Sequence, residues 1–567
     1  MCFDDRGRLW VVECYAYPHT LPEAEARDRI LVFEDTDGDH ALDSRKVFVE
    51  GLNLASGIAV GFGGVWVGAA PPRILLDGWG AQDTHETLNS FIWGPDGWLY
   101  GCHGVFTHSA VGKPGTPDAD RVRINAGIWR YHPVRHEFEV FSEGTSNPWG
   151  VDFNDLGHAF QTACVIPYLY HVIQGGRYQR QAGQHFNPYT FDDIKTIARH
   201  RHWAGRRWND ADPDGTDVSG GGHAHAGACV YLGGSWPARY RGRLFMNNIH
   251  GDRLNQDRLT PARVHLTGKT DGELVDLLGH DNDWFVRHAR RLLQERAAAG
   301  RLAFDTPRLL REKLATATTT PKKLRFIWAL HVTARLDEAA LARLLDDPDP
   351  AVRGWAIQLA AERKNVSQPL LERFAGLAAS DPSPVVRLAL ASALQRVSPP
   401  DRWPIAAALV GHADDANDHN LPLMNWYAIE PLVPLDPAWA LDLAAANRAD
   451  LEYLLANLLD PSAIVGRDYQ TTIVVTGDGR SIAGIVVQET PTSVTLQTPT
   501  ERVTVPLDEI QTRVLATQSL MPENQLAQLS PEAARDLVAY LRHATQVPLP
   551  AEASPSHPQP PGPGASP

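Results

Sequence analysis

Cysteine is scarce in this chain and never occurs in closely spaced pairs. The 567 residues contain five cysteines, which are far apart: Cys2, Cys14, Cys102, Cys164 and Cys229. Without a Cys-x-x-Cys pair, the sequence excludes a zinc site built from cysteines and a covalently attached c-type haem. The odd number leaves the redox compartment open.

Long apolar runs and basic stripes are also missing. No run of about 18 apolar residues occurs, so we predict no membrane span. A formal net charge of −14 argues against a general nucleic-acid-binding protein, because neutralising phosphates requires concentrated Lys and Arg. Residues Met1 to Asp5 lack the basic and apolar segments of a signal peptide, and the chain opens inside a predicted hairpin, as though an earlier segment were absent.

A turn containing glycine, followed by an aromatic residue, recurs through the first half of the chain. The pattern occurs at Asp5 to Trp10, Gly63 to Trp66, Pro95 to Tyr100, Asp155 to Phe160 and Arg241 to Phe245. Such turns predict hairpins. Their irregular spacing favours a β-propeller with four-stranded blades and long inserted loops over a β-sandwich, whose turns would be closer and more even. We assign residues 1–268 to this domain.

From about residue 271, Ala, Leu and Arg recur at helical spacing. Polar turns that lead into amphipathic helices occur at His280 to Arg287, Asp346 to Arg353 and Ser380 to Arg387. The Val-Arg pairs within them are 66 and 34 residues apart, about two repeats and one. We therefore predict a HEAT-like α-solenoid over 271–450, a fold that usually serves as a scaffold.

A small mixed α/β module is predicted over 451–546. Its strands are expected at Thr471 to Thr476, Ser481 to Gln488, Ser493 to Gln497 and Arg502 to Pro506, and its last helix at Pro531 to His543. Residues 547–567 are rich in Pro, Ser and Gly, which predicts disorder.

Histidines cluster between residues 219 and 255. His223 and His225 follow three glycines and would share one face of a strand, and His250 and Arg253 follow within about thirty residues. This composition is typical of a binding site. The alternative is a glycine bulge beside histidines that hydrogen-bond within a sheet.

Alternating carboxylates suggest a calcium loop at residues 35–46. Asp35, Asp37, Asp39 and Asp43 occupy positions 1, 3, 5 and 9, with the Ala41 carbonyl at position 7. Lys46 stands where the position-12 carboxylate is needed. A weak Ca²⁺ site and a solvated acidic turn are both compatible with this pattern.

A second candidate metal cluster falls between two predicted helices. His412, Asp418, His419 and Glu430 include two imidazoles and carboxylates that a metal uses as ligands. A polar loop between helices explains them with fewer assumptions, and we prefer that interpretation.

Three stretches together bring a family into view: Thr87 to Gly101, residues 219–255, and Ser519 to Pro522. Over nearly the whole chain up to about residue 545, the sequence resembles the membrane-bound dehydrogenase-like proteins also described as PVC-type haem-binding CxxCH proteins. The resemblance implies a six-bladed propeller like that of glucose and sorbosone dehydrogenases, a HEAT solenoid and a cytochrome c module. It also implies export, to the periplasm or outside the cell.

The resemblance further implies a pyrroloquinoline quinone cofactor, with Ca²⁺, over the propeller channel. In related sugar dehydrogenases a histidine before the Gly-Pro-Asp turn is the base, and His85 occupies a similar place. Asn147, His223, His225, His250 and Arg253 would shape the cofactor pocket. Ser146 stands where the family has an arginine that pairs with the cofactor's carboxylates.

Two larger departures from the family pattern concern completeness. After Leu259 the last blade is absent, which leaves open whether the propeller ring is closed. Met521 matches an axial haem ligand, but the Cys-x-x-Cys-His that would tether haem is missing, so we expect no haem in this chain. The C-terminal module would then be a remnant of the cytochrome domain.

Two functions from different classes follow. The first is a dehydrogenase that oxidises a sugar-like alcohol with a quinone and passes electrons on. The second is a non-catalytic scaffold whose propeller binds glycan and whose solenoid binds a protein partner.

Overall fold

The structure is a computed structural model. It describes residues 1–39, 41–69, 73–86, 88–183, 185–186, 192–198, 225–248, 265–436, 439, 470–489, 493–498, 501–519, 530 and 533. The chain divides into two compact units, Met1–Pro431 and Leu432–Pro567. None of the helices in these ranges is both long enough and apolar enough to cross a lipid bilayer.

Short strands make up the first unit as far as residue 248, and we call this part the β region. The strands are β1 Cys2–Phe3, β2 Leu9–Glu13, β3 Asp28–Glu34, β4 Ser44–Leu52, β5 Ser56–Gly61, β6 Gly64–Gly68, β7 Asn89–Trp93, β8 Leu99–His103, β9 Ser109–Val111, β10 Val122–Ile124, β11 Gly127–His132, β12 Glu137–Thr145, β13 Pro148–Phe153, β14 Ala159–Ala163, β15 Leu169–Val172, β16 Arg177–Arg180, β17 His225–Val230 and β18 Leu244–Asn248.

Each sheet of the β region is built mainly from strands that follow one another. Strands β1 to β4 form one antiparallel sheet, β5 and β6 a hairpin, and β13 to β15 a third sheet. Strands β7, β8, β11 and β12 form a fourth sheet, which β16 extends by parallel pairing with β12. Two further pairs are β9 with β10 and β17 with β18. The first strands β5, β7, β13 and β17 are neighbours in turn.

Helices follow from residue 271, so the predicted order of a β region and then a helical region is confirmed. The helices are α1 Asp271–Leu277, α2 Asp283–Ala298, α3 Thr306–Thr316, α4 Thr320–Val332, α5 Glu338–Leu344, α6 Pro350–Ala361, α7 Gln368–Ser380, α8 Pro384–Leu394, α9 Pro399–Val410 and α10 Leu421–Ile429. The even-numbered helices pack together in succession, and each odd-numbered helix packs against the even-numbered helix that follows it; we call the odd-numbered helices the outer row. We call α2, α4, α6, α8 and α10 the inner row.

The polar turns singled out in the sequence begin inner-row helices. The side chain of Asn282 accepts from the Trp284 N–H at the start of α2, and Asp349 accepts from the Ala351 N–H at the start of α6. These caps satisfy backbone donors that an isolated helix end leaves unpaired. The predicted helix starts at these two turns are confirmed.

The arginines of two of the three Val-Arg pairs make the same kind of contact within the helical region. Arg353 donates two hydrogen bonds, of 2.7 and 2.9 Å, to the Asp381 carboxylate. Arg387 does the same to Asp415, with both bonds at 2.5 Å. Each arginine therefore ties its helix to the turn that follows the next outer helix.

The glycine turns that follow the first strands face the inner row. From α2, Arg291 donates to the Val60 carbonyl at 3.0 Å and to the Asp5 carboxylate at 3.1 Å. Also from α2, Gln294 donates to the Gly97 carbonyl at 3.0 Å. The recurring turns are therefore contact points between the β region and the helices.

Later inner helices continue this contact. Arg325 of α4 donates to Asp155 at 3.1 Å, and Arg396, just after α8, donates to Glu139 at 3.1 Å. The Tyr427 hydroxyl of α10 donates to the Arg177 carbonyl at 3.2 Å. The β region thus covers the inner row along its length.

The second unit contains one five-stranded antiparallel sheet among its described residues. The strands are β19 Gln470–Thr476, β20 Ser481–Glu489, β21 Ser493–Gln497, β22 Arg502–Pro506 and β23 Ile510–Ser519, in the order β22-β21-β20-β19-β23. The four predicted strands are confirmed, and β23 was not predicted. Val474, Val494 and Leu496 form the centre of its core. Most of 520–567, including Met521, lies outside the described residues.

Candidate functional site

The predicted base and cofactor-pocket residues that the structure describes, His85, Asn147 and His225, lie at one end of the β region. Strands β7 and β13 end at the glycine turns that face the helices, so their first residues lie at the opposite end. Asn147 immediately precedes β13, His225 is the first residue of β17, and His85 lies in the loop before β7. We call this end of the β region the open end.

His85 is paired with a carboxylate. Its Nδ1 hydrogen-bonds to the Asp83 carboxylate at 2.8 Å, and its backbone N–H donates to the same oxygen at 3.0 Å. The imidazole is 65% exposed. It forms an edge-to-face contact with the Tyr17 ring, with 5.3 Å between the two ring centroids. Since the carboxylate can only accept, the proton is on Nδ1, and Nε2 is left to accept one.

The loop that carries this pair is fixed at both sides. The Asp83 N–H donates to the Thr107 hydroxyl at 3.2 Å, and that hydroxyl donates back to the Asp83 carbonyl at 2.9 Å. The Thr84 hydroxyl donates to the Pro18 carbonyl. The loops after β2 and β8 therefore hold the pair in place.

Asn147 has an unusual backbone and a buried polar atom. Its φ of +44° lies in the left-handed region, which asparagine tolerates better than most residues. Its side-chain oxygen is buried and has no hydrogen-bond partner among the described residues. A buried acceptor of this kind is suited to a donor on a ligand.

Ser146 is fully buried, and its hydroxyl donates to the Gln181 side-chain oxygen. A hydrogen bond between two neutral side chains therefore occupies the position where the family has an arginine. The neighbouring strand carries a cation instead: Arg180 donates to the Asn125 carbonyl at 3.1 Å. One of its terminal nitrogens, Nη2, is buried and lacks a partner in the described part of the chain.

His225 is only 2% exposed and stacks on Tyr168, with 4.3 Å between ring centroids. This burial and stacking make the imidazole part of the packing at the open end. The backbone carbonyl of His225 accepts a hydrogen bond from the Cys164 thiol at 3.3 Å. The other predicted residues of this stretch, His223, His250 and Arg253, lie outside the described residues.

The predicted calcium loop brings three carboxylates together. Oxygens of Asp35, Asp37 and Asp39 lie within 4.8 Å of one another, the only such group of His, Cys, Asp and Glu in the described ranges. The Asp43 carboxylate instead accepts from the Thr36 N–H at 2.8 Å and the Thr36 hydroxyl at 2.6 Å. Calcium binding here stays a prediction.

The residues of the second candidate metal cluster bind separate groups. The His412 imidazole hydrogen-bonds to the Ala378 carbonyl at 2.7 Å, and the His419 imidazole to the Lys195 carbonyl at 2.9 Å. These contacts agree with the preferred interpretation of a polar loop between helices.

A charged cluster near the open end was missed in the sequence. The buried His185 imidazole hydrogen-bonds through Nε2 to Asp193 at 2.8 Å, and Nδ1 lies 3.5 Å from Glu143. Burial opposes the positive charge, but the two carboxylates outweigh it and raise the pKa of His185. No sequence spacing indicated this cluster, because its partners are 8 and 42 residues away.

Comparison with known proteins places the first half of the chain. No curated protein matches it. Residues 1–287 match the family described as Domain of unknown function (DUF7133), a span that contains the β region and ends within α2. This span is just over half of the 567 residues, so the chain belongs to the DUF7133 family.

Proposed function

We propose that the β region is a dehydrogenase that oxidises a sugar-like alcohol and uses a quinone as electron acceptor. The Asp83–His85 pair carries this proposal, because it combines an exposed imidazole nitrogen with a carboxylate that orients the ring. His85 was assigned as base from resemblance alone, and the contact with Asp83 is an independent observation that suits the role.

The sheet arrangement supports a propeller. Successive antiparallel sheets with neighbouring first strands, and turns that all face one side, are features of blades around an axis. The Leu266 N–H donates to the Asp5 carbonyl at 3.1 Å, so the chain returns to the first sheet before the helices begin. The two rows of helices with repeating Arg–Asp ties likewise support a HEAT-like solenoid.

The residues at the open end fit an anionic quinone such as pyrroloquinoline quinone. The buried Asn147 oxygen can accept a hydrogen bond from it, and the Arg180 Nη2 can donate to a carboxylate. We therefore propose that Arg180 supplies the positive charge that Ser146 lacks. When bound, the quinone supplies a two-electron acceptor for hydride.

The chain's own contribution is proton transfer. Nε2 of His85 would remove the proton from the substrate hydroxyl while hydride passes to the electron acceptor from the carbon that bears this hydroxyl, which converts the alcohol to a carbonyl. Asp83 keeps the ring in the required tautomer and stabilises the imidazolium that forms. The product is the carbonyl compound, which has lost one proton and one hydride relative to the alcohol.

The test is dye-linked oxidation of a panel of aldoses after addition of quinone and Ca²⁺. His85→Ala is expected to lower the rate by about a hundredfold or more, and Asp83→Asn to lower it less. His108→Ala, an exposed histidine in the loop after β8, serves as the matched control. Unchanged activity in His85→Ala would remove that residue from the mechanism.

A second candidate is a non-catalytic scaffold that binds glycan or protein. The closed Ser146–Gln181 contact favours it, because the family's cation is absent at that position. Since the β region covers the inner row, a protein partner would use the outer row of helices. Binding on a glycan array without turnover would support this alternative over the enzyme. For either function we propose that the protein is exported to the periplasm or outside the cell, as the family resemblance implies.

A further inference from the structure

An aromatic groove lies between the β5–β6 hairpin and the sheet that contains β7, β8 and β11. Its volume is about 550 Å³, within the range of small-molecule sites. The main rings that line it are those of Phe62, Trp66, Trp79, Phe91, Trp129 and Tyr131. None of the predicted site residues lines it.

The groove presents flat apolar surfaces. The Trp66 indole N–H donates to the Gly61 carbonyl at 3.0 Å, and the Trp129 indole N–H donates to the Cys102 carbonyl at 3.3 Å. Their polar atoms are therefore satisfied within the protein. Trp129 is only 3% exposed, so the half-buried Trp66 offers the larger accessible ring surface of the two. Such surfaces favour a planar aromatic ligand, which buries a large area at little conformational cost.

Polar groups occur at Arg73, Tyr131 and His136. The Tyr131 hydroxyl hydrogen-bonds to His136 Nδ1 at 2.8 Å. Burial raises the pKa of Tyr131, and the positive charge of Arg73 opposes this shift. In the described part of the chain, Arg73 has no carboxylate partner within 4 Å, although it lines the groove.

We propose that this groove binds a planar aromatic carboxylate, with its rings against the Trp66 indole and its carboxylate paired with Arg73. An unpaired guanidinium beside an apolar cavity is complementary to an anion with an apolar body. The site is distinct from the open end, and the inference does not depend on the dehydrogenase proposal.

The probes are 2-naphthoate and its neutral counterpart 2-naphthamide, titrated into the full chain by calorimetry and by tryptophan fluorescence. Naphthoate is expected to bind at one equivalent, quench the fluorescence and bind at least about tenfold more tightly than naphthamide. Arg73→Gln should reduce naphthoate to the affinity of naphthamide. Arg123→Gln, an exposed arginine on β10 outside the groove, should keep the preference.

A second variant tests the charge without removing the arginine. Ile74 is 49% exposed and lines the groove, so Ile74→Asp should fold normally and repel naphthoate while affecting naphthamide less. Equal affinity of the two probes for the unaltered chain would overturn the proposal. So would equal effects of Arg73→Gln and Arg123→Gln.

Discussion

The indole N–H of Trp355 on α6 donates a hydrogen bond of 2.7 Å to the carbonyl oxygen of Leu156 in the turn between β13 and β14. The next residue, Gly157, has a φ of +75°. A Cβ at this position would lie 2.5 Å from Trp355 and 2.6 Å from Trp328. The glycine is therefore required both by the turn and by the two indoles packed against it.

Gly157→Ala should destabilise the first unit by about 2–4 kcal/mol, since it combines left-handed strain with a steric clash. Gly115→Ala is the matched control: its φ is +85°, but no atom lies within 4 Å of the added Cβ. That variant should lose only about 1–2 kcal/mol, from strain alone. Urea unfolding followed by tryptophan fluorescence measures both, and equal losses would contradict the role of the indoles.

Glu362, at the end of α6, makes part of the contact between the β region and the helices depend on pH. It accepts from Arg135 at 2.6 Å and hydrogen-bonds to the His331 ring at 2.5 Å. Burial opposes the charge, but His331 and Arg135 hold the pKa of this carboxyl well below its ordinary value of 4.5. Its stabilising effect is thus present above pH 4.5 and declines as the pH falls below that value.

Glu362→Gln should therefore cost about 2–4 kcal/mol at pH 7. The difference from the unaltered chain should shrink between pH 4.5 and pH 3. Glu137→Gln removes a more exposed carboxylate from the same arginine and should cost under about 1 kcal/mol. A difference between Glu362→Gln and the unaltered chain that is independent of pH would contradict this assignment.

A buried ion pair joins Arg130 of β11 to Asp96 in the turn between β7 and β8. Arg130 and Asp96 are 1% and 2% exposed, and their charged atoms lie 2.8 Å apart. Arg130→Met leaves the carboxylates of Asp96 and Glu139 without this partner and should destabilise the fold by about 3–5 kcal/mol. Adding Asp96→Asn should restore part of this loss. If the two changes were simply additive in unfolding experiments, the pair would not be coupled.

The sequence was informative where local chemistry decides the structure. Glycine turns, helix caps such as Asn282 and four of the five strands in the second unit follow from residues close together in the chain. Strand β23 was missed because its assignment depends on pairing with β19 rather than on alternation, and Val514 and Leu515 are both exposed.

Contacts between distant segments could not be predicted. Nothing in the sequence indicated that the recurring turns contact successive inner helices, or that His185 lies between Asp193 and Glu143. His85 was identified by resemblance, yet its pairing with Asp83, only two residues away, depends on a loop conformation that distant residues such as Thr107 hold.

The most direct test of the dehydrogenase proposal is a calorimetric titration of the full chain with pyrroloquinoline quinone in the presence of Ca²⁺. We predict saturable binding near one equivalent, lost in Asn147→Ala and kept in Arg73→Gln, which separates the open end from the aromatic groove. Absence of saturable binding, or binding that Asn147→Ala leaves unchanged, would contradict a quinone site at the open end and favour the scaffold.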